Sequence, residues 1–145
     1  MRPESEQLIR DTWKQLEPAS DTLVAAFYER LFSSNPAAAE LFADTNMTEQ
    51  RRKFSAMLAE IVRAISDPDV LIREVAASGR RHVHYGVVDR DYEDVGAALV
   101  WAIGRTLGPA FTPEVQAAWR EAYALLSAVM RRAAARETVQ DPSRD

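Results

Sequence analysis

The sequence predicts an all-α protein, and two observations carry that prediction. Every long segment repeats its apolar residues at spacings of three and four, the period of one helix face. The breaks between segments hold proline, asparagine, aspartate, threonine or glycine where helices start and stop. A third observation agrees: no run alternates apolar and polar residues for long enough to make a useful strand. At 145 residues the chain fits one domain with its own core, and no internal repeat divides it. The expected domain is residues 1–136, with residues 137–145 a polar, disordered tail.

The first helix is expected from about Pro3 to Leu16, where Leu8, Ile9, Trp13 and Leu16 share a stripe and Pro18 stops the run. Ser20 or Asp21 is expected to cap the second, whose Leu23, Phe27, Tyr28 and Leu31 face inward. Asn35-Pro36 opens a short third helix that ends near Leu41-Phe42, because proline is tolerated where its missing N–H would be unpaired anyway. After a polar connection, Thr48 is expected to cap a fourth helix carrying Gln50, Phe54, Met57, Leu58, Ile61 and Ile65 on one face. Asp67-Pro68 opens the fifth, where Leu71, Val75, Ser78 and His82 align and Gly86 supplies a terminator. Asp89 is expected to cap the sixth, with Tyr92, Val95, Gly96, Leu99, Ile103 and Leu107, closed by Gly108-Pro109. Thr112-Pro113-Glu114 opens a long seventh helix through Val115, Trp119, Ala122, Leu126 and Val129.

Composition excludes several classes of function. No cysteine is present, which removes a disulfide framework, a thiolate-held cluster and a thiol nucleophile. The net charge of -4 gives no general attraction to phosphate backbones. The basic clusters Arg51-Arg52-Lys53, Arg80-Arg81 and Arg131-Arg132 are short and scattered, so no nucleic-acid partner is expected. Met1 to Ser5 lacks a signal-peptide core, and no apolar run has the length of a membrane span. A cytoplasmic protein with no membrane partner is expected.

The chemistry then narrows to two histidines, His82 and His84. A neutral imidazole is the commonest protein ligand for transition metals, haem iron included. Residues two apart on a helix point about 200° away from each other, so only one can face a pocket; the apolar stripe selects His82. On the fourth helix Gln50 is the one polar residue sharing a face with large apolar ones.

Taken together, Phe27-Tyr28-Glu29-Arg30-Leu31-Phe32, Asn35-Pro36 leading to Leu41-Phe42, Gly79-Arg80-Arg81-His82 followed by Tyr85-Gly86-Val87, Tyr92-Glu93-Asp94-Val95-Gly96, and Phe111-Thr112-Pro113-Glu114-Val115 with Ala118-Trp119 and Ala122-Tyr123 resemble one family. The order is similar to that of the globins, in particular the bacterial single-domain branch related to the globin domain of flavohaemoglobins. The resemblance covers almost the whole chain. It implies a globin fold, helices A-B-C-E-F-G-H around a b-type haem (iron protoporphyrin IX), with the D helix short or absent.

By that resemblance His82 is the proximal iron ligand, its other ring N–H held by the Ser78 carbonyl, and Phe42 is the aromatic wedge against the macrocycle. Tyr28 and Gln50 match the distal pair that stabilises a bound ligand, and Phe54 restricts the distal cavity. Lys53 and Arg81 match cations that pair with the propionates. Tyr85, Val87, Tyr92 and Val95 complete the implied haem contacts. The chain departs from the branch at Ala134, which stands where flavohaemoglobins carry a glutamate coupled to the proximal histidine through a tyrosine, here Tyr92; the nearest acid is Glu137.

The function so implied is a haem-binding, oxygen-binding globin, working as a carrier, store or scavenger. Its ligands are dioxygen, nitric oxide and carbon monoxide, and its reactive chemistry is nitric oxide dioxygenation. No flavin or nicotinamide domain follows within the 145 residues, so a separate reductase is expected as electron donor. The alternatives are a haem-based gas or redox sensor acting through a partner, and a haem-less globin fold serving as an interaction module.

Overall fold

Proline and asparagine set the helix boundaries in the computed structural model, which describes the backbone of residues 1–84 and 87–140 and the side chains of residues 1–78, 81 and 87–136. The elements are α1 (Pro3–Leu16), α2 (Ser20–Ser34), α3 (Pro36–Leu41), α4 (Met47–Arg63), α5 (Pro68–His84), α6 (Asp89–Leu107) and α7 (Pro113–Gln140). Short 3-10 turns at Glu17–Ala19 and Gly108–Ala110 lead into α2 and out of α6. The described residues are otherwise turns, so the all-α expectation holds. No helix among them is long and apolar enough to cross a membrane.

Three expected caps move. Pro18 does not break the chain but sits in the 3-10 turn, which hands Ser20 directly to α2. The Ser20 N–H already donates to the Glu17 carbonyl and its backbone is helical, so neither Ser20 nor Asp21 takes the extended cap conformation. Asn46, not Thr48, caps α4: its extended backbone turns the side-chain oxygen onto the Glu49 N–H at 3.2 Å. Asp89 is the first residue of α6 rather than its cap; the Asp91 carboxylate reaches back to the Val88 N–H at 2.9 Å. Asn35 and Thr112 act as expected, accepting from Ala38 at 3.0 Å and Val115 at 3.2 Å. Gly108 closes α6 at φ +59°, a conformation in which a side chain would be strained. Helix α7 reaches Gln140, so the backbone at 137–140 is helical; residues 141–145 and the Gly86 terminator lie outside the described residues.

The core forms where α5 crosses α7, α2 crosses α6 and α1 lies on α7. Ile9, Leu16, Leu23, Val24 and Ile103 are fully buried at its centre, and each stabilises by roughly 1.5–3 kcal/mol relative to an exposed side chain. Two polar ties lock α1 to α7. The Trp119 indole donates to the Thr12 hydroxyl at 3.0 Å, and Ser5 donates to Glu121 at 2.6 Å.

Helix α4 follows a different pattern. It leans on α2 and touches α1, yet among the described residues it does not pack against α5 as a helix pair, although only a short connection joins the two. The resemblance puts a flat cofactor between these two consecutive helices, and their weak pairing is compatible with that.

Candidate functional site

The meeting of α2 and α4 is aromatic because both helices present rings at helical spacing. Tyr28 is 6 % exposed and lies edge-on to Phe27, Phe42 and Phe54, with ring centroids at 4.9, 5.7 and 5.8 Å. Phe32, one turn after Tyr28, lies 5.7 Å from it and 5.5 Å from Phe42. Phe42 stands where α3 ends, half-buried against the core. On α4, Gln50, Phe54, Met57 and Ile61 are all half-buried, while Leu58 and Val62 take the fully buried face.

One polar contact crosses this aromatic meeting. The Gln50 side-chain amide donates to the Tyr28 phenol oxygen at 3.0 Å. Since the phenol oxygen accepts from Gln50, the phenol proton is left to be donated elsewhere. Burial raises the Tyr28 pKa from its ordinary value; the Gln50 hydrogen bond and the Arg51 charge oppose that rise without cancelling it. The hydroxyl is therefore a neutral donor at physiological pH.

The expected rim cations lie on two consecutive helices, Lys53 on α4 and Arg81 on α5, and both are exposed. His82 lies on α5 by its backbone, one turn after the buried Ser78. The side chains of His82, His84 and Tyr85 lie outside the described residues. Val87 is half-buried, and Val95 packs against the core from α6. Tyr92 is 5 % exposed, with the Arg131 guanidinium 5.1 Å above its ring. Burial raises its pKa, the Arg131 charge opposing. Tyr123 donates from its hydroxyl to the Tyr92 carbonyl. Ala134, on α7, is half-buried one turn beyond Arg131.

Haem needs an apolar slot with one polar corner and cations at the mouth. The weakly paired α4 and α5, the half-buried stripe from Gln50 to Ile61, the Tyr28–Gln50 pair and the exposed Lys53 and Arg81 fit that demand.

Sequence reasoning missed four contributors. Phe32 could have been found, because it stands four residues after Tyr28 on the same face. Arg51 had no signal beyond its place beside Gln50. Arg131 was visible only as part of a surface pair. Asn35 was expected as a cap, but its amide also donates to Asp91 at 2.9 Å and Asp94 at 2.8 Å, bracing α3 against α6.

Comparison with known proteins bears on the family and the fold. Residues 25–130 match the family model named Globin. The chain is 32 % identical to a flavohemoprotein of Bordetella pertussis over 129 residues, covering 88 % of this chain and 32 % of that protein. A flavohemoprotein of Rhodopirellula baltica is 33 % identical over 129 residues, 85 % of this chain and 31 % of the relative. The chain thus spans about a third of the length of the curated relatives it matches. Among solved structures, an engineered carbene transferase built on a nitric oxide dioxygenase candidate from Rhodothermus marinus superposes with a TM-score of 0.86 at 27 % identity, over 99 % of both chains.

Proposed function

We propose that this chain, which belongs to the globin family, binds haem b between α4 and α5 and holds dioxygen, nitric oxide or carbon monoxide there, with nitric oxide dioxygenation as its reactive chemistry. Haem supplies an iron that takes a diatomic gas as ligand and exchanges one electron, which no side chain can do. His82 on α5 would hold the iron from one side. Phe42, Phe54 and Val95 would line the macrocycle, with Tyr85, Val87 and Tyr92 on the α5–α6 side, and Lys53 and Arg81 would meet the propionates.

The observation that carries the reading is the buried Tyr28 phenol held by Gln50 at 3.0 Å. A phenol so tethered points its remaining proton at a partner that is negatively polarised, as dioxygen on a reducing centre is. Nitric oxide, dioxygen and one electron balance to one nitrate, so turnover consumes an electron each time. The relatives whose name joins flavin to haem, and which run to about three times this length, support a separate reductase as the donor. The bacterial sources of those relatives support a bacterial setting, and we take the cytoplasm as its compartment.

Absorption spectroscopy on chain expressed with haem available tests the reading. The expected result is a haem-loaded protein whose reduced form binds carbon monoxide and dioxygen reversibly, and which yields nitrate from nitric oxide when a reductase is added. A protein that takes up no haem would overturn all of it. Reversible gas binding with no nitrate would leave a carrier or store.

A further inference from the structure

A groove on the far side of α6 shares only Tyr92 with the implied haem contacts. It has a volume of about 960 Å³ and runs along the outer face of α6, between α2 and α7. Two rings close against glycines form part of its lining. A Cβ at Gly96 would come within 2.5 Å of the Tyr123 ring, and one at Gly104 within 2.8 Å of the Phe111 ring.

Its charge is at odds with the rest of the chain. Arg30, Arg105, Arg120 and Arg131 line it against one acid, Glu93. The groove carries +3 on a chain of net charge -4, which leaves -7 on the remainder. Elsewhere this protein pairs its arginines with acids one turn away, as in Arg52 with Glu49, Arg63 with Glu60 and Arg90 with Asp94. Arg30, Arg105 and Arg120 have no such partner among the described residues. Four residues before Arg105 stands Trp101, and four before Arg120 stands Gln116. Unpaired like charges gathered on one face repel, and an anionic occupant removes that repulsion.

The spacing of the cations identifies the occupant's shape. Arg131 sits over Tyr92 at 5.1 Å, while Arg30 and Arg105 sit over Trp101 at 5.0 and 5.5 Å. Tyr92 and Trp101 are nine residues apart on α6, roughly 14 Å along the helix. One small anion cannot meet both ends, whereas an extended segment with acids on alternate residues can. A second copy joined by two-fold symmetry would set arginines against arginines. Trp101, 37 % exposed, offers an apolar anchor of the kind found at protein interfaces. We propose that this groove docks an acidic segment of a partner protein.

Fluorescence anisotropy of a labelled oligoglutamate peptide carrying one leucine, titrated with the full chain, tests this. We expect saturable binding that weakens at least tenfold in Arg105→Ala/Arg120→Ala and on raising salt from about 50 to about 200 mM. The control Arg52→Ala/Arg63→Ala, outside the groove, should change binding less than about twofold. Both pairs are exposed, and melting curves of the variants verify that each folds. No binding, equal loss in the control, displacement of the peptide by pyrophosphate at lower concentration than by unlabelled peptide, or groove-dependent dimerisation in sedimentation would each overturn the proposal.

Discussion

Replacing Tyr28 by phenylalanine isolates one proton. The ring keeps its packing against Phe27, Phe42 and Phe54, and what disappears is the hydroxyl that Gln50 holds at 3.0 Å. A hydrogen bond to a partly charged acceptor contributes about 1.5–3 kcal/mol. At about 1.4 kcal/mol per factor of ten, dioxygen should leave the haem-loaded variant on the order of 10 to 100 times faster. Carbon monoxide, which is less polarised, should leave at a rate within about a factor of two of the parent, because the same bond is worth little to it. Stopped-flow displacement of dioxygen by carbon monoxide reads the first rate, and displacement of carbon monoxide by nitric oxide reads the second. Folding should change little: Gln50 is half-buried, so water can take the amide proton that the phenol oxygen accepted. An unchanged dioxygen rate, or equal acceleration of both gases, would refute the reasoning.

The same bond has a pH signature. Burial raises the Tyr28 pKa above the ordinary tyrosine value of 10.0, and the neutral phenol, which persists below that pKa, is the donor. Dioxygen dissociation should therefore stay flat from neutral pH to about 10 and accelerate only beyond it. Acceleration beginning near pH 8 would assign the donor to another group.

Three further outcomes are expected. His82→Ala should abolish stable haem uptake, read as loss of the Soret band after gel filtration, while helicity by circular dichroism is kept; full retention of haem would move the ligand elsewhere. Gly96→Ala drives a methyl to 2.5 Å from the Tyr123 ring, and such overpacking costs about 1–3 kcal/mol, a fall in melting temperature of roughly 2–12 °C; an unchanged melt would mean that the ring moves aside freely. Asn35→Asp sets a third carboxylate against Asp91 and Asp94, 2.9 and 2.8 Å from the asparagine amide. That raises the introduced group's pKa in the folded state, so the variant should lose stability as pH rises through about 4 to 6 and regain it on acidification, as urea unfolding at several pH values would show.

The helical periodicity of the sequence located the elements because burial of one face every three or four residues decides helix existence. Leu23, Val24, Phe27 and Leu31 are buried as that logic requires. Caps were less legible, since the choice depends on backbone angles that several neighbouring residues could have adopted: Asn46 took the place expected of Thr48, and the 3-10 turn removed any need for Ser20. Gln50 was legible as a polar residue on an apolar stripe and Tyr28 as an inward-facing residue of the second helix, but that both serve one distal pair came only through family resemblance. What stayed hidden depends on pairing between distant segments. The Asn35 amide meets Asp91 and Asp94 across 56 and 59 residues, and Arg131 meets Tyr92 across the turn between α6 and α7.

That last contact separates the two sides of the proposed pocket. On the Tyr28 side, a buried neutral phenol, its tether and a wall of four phenylalanines favour retention of a polarised ligand. On the Tyr92 side, a guanidinium lies over the tyrosine ring, and Ala134 stands where flavohaemoglobin resemblance calls for a carboxylate. A carboxylate coupled through a tyrosine would add electron density toward the histidine side of the pocket, whereas a cation on that ring withdraws it. In the proposed pocket the two changes would act in the same direction: Tyr28 and Gln50 would retain the ligand, and the push that speeds chemistry on it would be lacking. Replacing Ala134 by glutamate, with Arg131→Leu to remove the opposing cation, should therefore raise nitrate formation more than it alters dioxygen dissociation, whereas Tyr28→Phe should do most of its damage to dissociation.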